Sequence, residues 1–182
     1  MADGMLRLFS LEQIAPALSG VRPVAPRSID WGKISRILGV ALPRDYVELA
    51  EAYPAIEFDG FLCVWVPRLG GEEEFVAGLF DELELVAELQ EEGEAENYVA
   101  HPEPGGLIPW GSSLDGDVFY WCVIDGDPDG WPVVAHGRNG SWWECQSGLI
   151  RFLVGVVTHD VDRGELSDDV LGVNPSVVLL GD

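Results

Sequence analysis

One run of alternating carboxylates has the spacing of a metal-binding loop. Residues Asp125-Gly126-Asp127-Pro128-Asp129-Gly130 match the first half of an EF-hand calcium loop, where alternate carboxylates surround the ion and glycine allows a sharp turn. The match ends at His136, where a bidentate Glu should close the coordination shell. Because turns select the same residue types, the sequence favours a hairpin turn over a calcium site, and we expect no bound metal.

The other residue types that could perform chemistry lack the spacing for it. His101, His136 and His159 offer no i, i+4 pair for a metal, and the chain has no CxxC motif. No serine lies in a G-x-S-x-G context, and Gly70-Gly71 precedes three glutamates that would repel a phosphate. We therefore expect no catalytic residue and no cofactor. A pair of carboxylates working as acid and base stays open, since distance in the fold defines such pairs.

The charge of the chain is strongly one-signed. Its 32 acidic residues oppose 10 basic ones, for a net charge of −22. Between Arg68 and Arg138 there is no Lys or Arg, while that span contains 17 of the acidic residues. This charge opposes binding to nucleic acids and to anionic membranes, and it favours a basic partner. Solubility is the alternative explanation, because acidic surfaces resist aggregation.

The cysteines and the N-terminus indicate the compartment. Cys63, Cys122 and Cys145 are odd in number and widely spaced within strand-like sequence, which predicts reduced, buried thiols. The N-terminal residues contain no uninterrupted apolar stretch of a secretory signal. No apolar run approaches membrane-spanning length. The sequence therefore predicts a cytoplasmic protein without membrane contact.

The segment from Leu107 to Trp143 predicts the centre of a β-sheet. It contains five of the seven tryptophans. Turns at 125–130 and at Arg138-Asn139-Gly140 divide it into the strands of a β-meander. The continuous apolar run from Val118 to Ile124 predicts a strand that is covered on both faces. Trp142 and Trp143 should point to opposite faces, since they are adjacent on a strand.

Helical patterns surround this segment. Apolar residues at three- and four-residue spacing predict helices at 31–38, 43–53, 72–96 and 149–157, the last capped by Ser147. A loop at 91–101 is expected to overlap the end of the third pattern and to lead into the meander. Residues 56–66 predict one buried strand. The helix at 72–96 contains eleven acidic residues and no Lys or Arg to offset their repulsion. A solvated outer face is the usual explanation of such a run, but the tolerated repulsion indicates use in binding.

These elements predict a single α+β domain, in which an antiparallel or mixed sheet of about five to six strands packs against flanking helices. We place an N-terminal extension and linker at 1–27, the domain at 28–159 and an acidic tail at 160–182. Within the tail, the apolar residues 177–180 predict either an edge strand or a docked extension. The roles of the extension and of the tail are left open.

The order of the motifs resembles that of the SUKH superfamily, which includes the Smi/Knr-type regulators and many bacterial toxin-immunity proteins. The matching segments are the opening helix with Trp31 and Leu38-Gly39, then Leu42-Pro43-Arg44-Asp45-Tyr46, Tyr53, the strand Phe61-Leu62 to Pro67, Ile108-Pro109-Trp110-Gly111, Phe119-Tyr120-Trp121, Trp131-Pro132-Val133-Val134 and the closing helix with Phe152-Leu153. The resemblance covers residues 28 to 157 and rests on the ordered set. The acidic segment at 72–96 is bulkier than the family pattern, and the two ends of the chain match nothing in it.

The resemblance implies an α+β fold without a catalytic centre, which immunity members use to bind a cognate toxin stoichiometrically and block it. With the charge, it predicts a non-enzymatic immunity protein whose partner is a basic protein toxin, often a nuclease in such systems. The carboxylates expected to steer this partner are Glu72, Glu73, Glu74, Asp115, Asp117, Asp125, Asp127 and Asp129. An intracellular regulatory or scaffold module of the same fold is one alternative, and a small hydrolase using paired carboxylates or calcium is the other. The sequence does not indicate an oligomeric state.

Overall fold

A computed structural model describes residues 8, 10–22, 24–161, 166 and 171–181 of the chain. In these ranges, the helices with defined bounds are α1 (Ala17–Val21), α2 (Trp31–Leu38), α3 (Arg44–Ala52), α4 (Glu72–Glu92) and α5 (Leu149–Thr158), and residues 10–14 are helical as well. The strands are β1 (Ala55–Phe58), β2 (Leu62–Val64), β3 (Leu107–Ser113), β4 (Val118–Cys122), β5 (Val133–His136), β6 (Trp142–Cys145) and β7 (Val177–Leu180). Within the described residues the strands form one open antiparallel sheet, in the order β6-β5-β4-β3-β2-β1-β7.

The predicted α+β class is confirmed, but the sheet has seven strands, slightly more than predicted. Residues 56–66 form two strands, β1 and β2, because the chain reverses at Asp59-Gly60. Asp59 and Gly60 both have positive φ, 52° and 65°, and together with Phe61 they form a three-residue loop between the paired residues Phe58 and Leu62. The apolar residues on either side made this segment resemble one long strand. Residues 177–180 form the edge strand β7, which pairs with β1.

The main core lies on one face of the sheet, beneath α2, α3 and α5. Strand residues such as Ile108 and Trp121 are buried there together with Tyr46 of α3 and Phe152 of α5. The rings of Tyr46 and Trp121 meet edge to face, with centroids 5.0 Å apart. Such aromatic pairs contribute about 0.5–1.5 kcal/mol beyond the burial of their area.

A second cluster lies on the opposite face, beneath the C-terminal half of α4. Its buried members are Leu83, Val86, Leu107, Val118, Tyr120 and Val134. Strand β4 is therefore covered on both faces, as its apolar run predicted. Trp142 packs against this second cluster and Trp143 against the main core, which confirms that the two side chains point to opposite faces.

Residues on both sides of the predicted domain limits pack into the main core. Leu11, Ala15 and Leu18 are fully buried in it. The Tyr53 hydroxyl donates to the Glu12 carboxylate at 2.7 Å. Near the other end, Leu171 is buried in the same core and β7 extends the sheet. The described parts of 1–27 and 160–182 are therefore attached to the fold, while the limits at 28 and 159 stay predictions.

Two helix ends differ from the sequence prediction. Helix α4 ends at Glu92, because Gly93 takes a left-handed φ of 78°, so the helix stops short of residue 96 and the expected loop begins at residue 93. The predicted cap of α5 by Ser147 is wrong, because Gly148 occupies the N-cap position and no side chain caps the helix locally. Instead, the Ile150 N–H at its start donates to the buried Asp45 carboxylate at 3.1 Å. Asp45 lies in α3, so no local pattern near residue 147 could have shown this contact.

The three cysteines are free, but the prediction that they are buried is wrong. Each is partly exposed, since Cys63 lies on the outer face of β2 while Cys122 and Cys145 end their strands. The burial that remains raises the pKa of the Cys63 and Cys122 thiols.

Candidate partner-binding surface

Helix α4 presents the most uniformly acidic surface of the fold. Its 21 residues span roughly 30 Å, and its buried positions, among them Val76, Leu79 and Leu83, recur at helical spacing and face the sheet. Its exposed carboxylates, which we term the acidic helix face, are Glu73, Glu74, Asp81, Glu84, Glu88, Glu91 and Glu92. Within the described residues one ion pair reaches this face, between Lys33 Nζ and Glu73 Oε1 at 3.1 Å.

The three glutamates at the start of α4 do not all face solvent. Glu72 is only 5% exposed, and its carboxylate accepts the backbone N–H of Asp30 at 3.1 Å. Backbone hydrogen bonds, that of Asp30 first, hold the pKa of the Glu72 carboxyl below its usual range. Glu72 thus connects the start of α4 to the start of α2, while Glu73 and Glu74 are exposed.

Asp115 and Asp117 lie in the turn between β3 and β4. Asp117 is buried and accepts hydrogen bonds from the Ser113 hydroxyl and, at 3.1 Å, from the backbone N–H of Arg138. Asp115 is exposed, and its carboxylate lies 3.3 Å from the Arg138 guanidinium. The two carboxylates therefore join the β3–β4 turn to the β5–β6 turn, and Arg138 offsets part of their charge.

Asp125, Asp127 and Asp129 lie beyond the other end of β4, which separates them from Asp117 by about 17 Å of strand. Asp129 accepts the Arg44 backbone N–H at 2.7 Å, and Asp127 accepts the Asp129 N–H at 3.2 Å. This loop is the turn that the sequence favoured, with a short 3₁₀ helix at Pro128–Gly130. Among the residues that the structure describes, no group of three or more His, Cys, Asp or Glu side chains is placed to hold a metal ion.

The eight predicted carboxylates therefore do not form one surface. The structure divides them among the start of α4 and two opposite ends of the sheet. In the structure, Glu73 and Glu74 lie on the same helix as the exposed carboxylates that follow them in α4. The prediction did not include those later carboxylates in the site. The signal was present in the sequence, because most acidic residues of the 72–96 pattern occupy the helical positions that its apolar stripe leaves to solvent.

Two concave regions of the described surface contain carboxylates. One, of about 540 Å³, is lined by Asp45 at the start of α3 and by Asp129 in the turn between β4 and β5. Both carboxylates accept backbone N–H groups, from Ile150 and Arg44 respectively, which gives each a structural role. The other, a groove of about 290 Å³, lies between the residues that follow β2 and the first half of α4.

None of the described helices combines the length and apolar character needed to cross a bilayer. Comparisons of the chain with family models, with curated proteins and with solved structures give no match. The resemblance to the SUKH superfamily therefore rests on the motifs of this sequence alone.

Proposed function

We propose that this chain is a non-catalytic binding protein that neutralises a basic protein toxin by stoichiometric capping. The acidic helix face carries the proposal. Glu84, Glu88 and Glu92 follow one another at i, i+4, where like charges destabilise a helix by a few tenths of a kcal/mol per pair. The cationic groups of a bound partner would attract these glutamates and offset the repulsion among them. The SUKH-like order of motifs supports the immunity role.

The two stages of binding depend on different groups. The acidic helix face would steer a basic partner, and complementary fields can raise association rates toward about 10⁸–10⁹ M⁻¹s⁻¹. Phe80 and Leu85 lie on the same helix and are 36% and 37% exposed. Burial of such apolar groups would set the dissociation rate, because desolvated central contacts dominate the affinity of most interfaces.

A search for a toxin gene beside this one, followed by a neutralisation assay with its product, tests the proposal. We expect co-expression of the chain to restore growth, and a purified complex of equal stoichiometry to lack toxin activity. The association rate should fall steeply with added salt, since the Debye length drops below about 10 Å above 0.1 M ionic strength. A chain that inactivates toxin in substoichiometric amounts would instead be an enzyme. A captured partner without toxic activity would indicate the regulatory or scaffold alternative.

Two charge-matched double variants locate the steering surface. Glu84→Gln with Glu88→Gln removes two charges from the acidic helix face, and we expect association at low salt to slow by about threefold. Glu103→Gln with Asp125→Asn removes two exposed charges elsewhere and should change the rate less. If the second pair slows association as much as the first, the acidic helix face has no special role.

A further inference from the structure

The groove beside α4 combines an apolar lining with carboxylates. Trp65 and Phe75, which are both partly exposed, contribute apolar surface, and Glu74 and Glu82 of α4 line it as well. The two glutamates are eight residues apart, roughly 12 Å along the helix axis. An apolar channel between two carboxylates matches a side chain with an aliphatic stem and a cationic end.

Gly78 lies on the same helix midway between these glutamates and also lines the groove. Glycine is unfavourable in a helix interior, because the unfolded chain loses more freedom there than at any other residue. Packing within the chain does not require it, since no heavy atom lies within 4 Å of the position a Cβ would occupy. The missing side chain does, however, keep the groove open between the two carboxylates.

We propose that this groove receives an arginine side chain of the basic partner, an inference that rests on the function proposed above. The arginine stem packs on Phe75, and the guanidinium lies near Trp65 opposite Gly78. Cation–π attraction to the indole and charge-assisted hydrogen bonds to Glu74 and Glu82 hold it. Arginine fits better than lysine, because its planar, weakly hydrated cation stacks on aromatic rings.

Arg68 lines the same groove, and its substitution tests whether the occupant of the groove is positively charged. No ion pair within 4.0 Å joins it to Glu74 or Glu82 in the described part of the chain. Its positive charge opposes a cationic occupant. Arg68→Gln should therefore tighten binding, whereas Glu74→Gln and Glu82→Gln should weaken it.

Titration of the full chain with N-acetylarginine amide, followed by amide and indole NMR signals, tests the groove without the toxin. We expect saturable shifts of the Trp65 indole N–H and of the Gly78 amide, with little effect from N-acetylnorleucine amide. Gly78→Leu fills the groove while leaving the helix intact, and it should weaken the arginine probe by about tenfold. Equal shifts in Gly78→Leu, or shifts spread evenly along α4, would overturn the proposal.

The same variant separates this inference from the proposed function. If Gly78→Leu folds like the wild type but still neutralises the toxin with unchanged affinity, the groove is not the docking point although the function stands. If N-acetylarginine amide binds the groove and no toxin is neutralised, the groove stands and the immunity function falls. Circular dichroism of the variant confirms that α4 is retained in both cases.

Discussion

Two buried carboxylates, Asp45 and Glu72, bind backbone N–H groups at the starts of helices. Asp45 is 3% exposed; its Oδ1 accepts the Tyr46 N–H at 2.8 Å and its Oδ2 the Ile150 N–H at 3.1 Å. A Cβ at Gly148 would lie 2.9 Å from Asp45 Oδ2, so the start of α5 approaches this carboxylate too closely for a larger residue. One side chain thereby joins α3 to α5.

Replacement of this carboxylate should weaken the contact between the two helices. We expect Asp45→Ala to lower the free energy of unfolding by about 1–3 kcal/mol, because it leaves buried N–H groups without an acceptor. Urea unfolding measures the change. Asp125→Asn, at an exposed carboxylate, serves as control and should stay within about 0.5 kcal/mol of the wild type. Equal losses in both variants would contradict the role given to Asp45.

His136 gives the stability a pH dependence that can be tested. Its ring stacks on Trp142 at 4.3 Å between centroids, and burial lowers the pKa of the imidazole, against the opposing charges of Asp117 and Glu94. Near pH 6.5 and just below, the His136 imidazole is protonated more readily in the unfolded chain than in the folded chain. The contribution of His136 to the free energy of unfolding is therefore fully present above that pH range, and it declines as the pH falls through the range.

The matching prediction compares two histidine variants. His136→Phe should flatten the loss of unfolding free energy between about pH 7 and pH 5, since it removes the group that charges on unfolding. His159→Asn provides the control, because His159 is exposed and asparagine tolerates its left-handed φ of 61°. Urea titrations at both pH values measure the difference. An unchanged slope in His136→Phe would contradict this role.

At the scale of one element, α4 contains two glycines with different roles. Gly78 lies in the helix interior, while Gly93 ends the helix with a left-handed φ of 78°. A Cβ at either position would have no heavy atom within 4 Å. Their substitutions therefore differ in backbone conformation and not in packing.

Alanine should have opposite effects at the two positions. We expect Gly78→Ala to raise the free energy of unfolding by about 0.5–1 kcal/mol, since alanine loses less entropy in a helix. Gly93→Ala should lower it by about 1 kcal/mol, because L residues are strained in the left-handed region. Thermal unfolding of both variants measures whether each substitution raises or lowers the stability. A stabilised Gly93→Ala would contradict the helix end described here.

At the scale of the whole molecule, the net charge of −22 should make stability depend on salt. Added NaCl screens repulsion among the surface carboxylates, so the melting temperature should rise between about 0.01 and 0.15 M. Glu88→Lys places a cation four residues after Glu84 and four before Glu92, and it should raise stability at low salt by about 0.5 kcal/mol. Its salt dependence should be weaker than that of the wild type. A melting temperature that falls with NaCl would contradict this account.

The sequence predicted the features that depend on neighbouring residues. The apolar run at Val118 indicated a strand covered on both faces, and helical spacing indicated α2, α4 and α5. It missed the Asp59-Gly60 reversal, where apolar residues on both sides concealed a turn signal. It could not show that Asp45 caps α5, since the two segments meet only in the folded chain.

The site prediction failed in part for a topological reason. In a meander, successive turns lie at alternating ends of the sheet, so Asp117 and Asp125 had to be separated once β4 lay between them. The groove at Gly78 was not predicted, because it requires the residues after β2 to lie against α4. The helical spacing of Glu74, Gly78 and Glu82 was its only sign in the sequence.

The pairing of β7 with β1 affects the order in which the strands assemble. Strands β3 to β6 pair with their neighbours in sequence, whereas Asp59 and Ser176, which join the ends of β1 and β7, are 117 residues apart. Closing so long a loop costs more entropy than closing a hairpin, so we expect β7 to add after the meander has formed. Until β7 has paired, the edge of β1 is unpaired and can bind strands of other newly synthesised chains. Crowding during synthesis would therefore favour aggregation through the β1 edge.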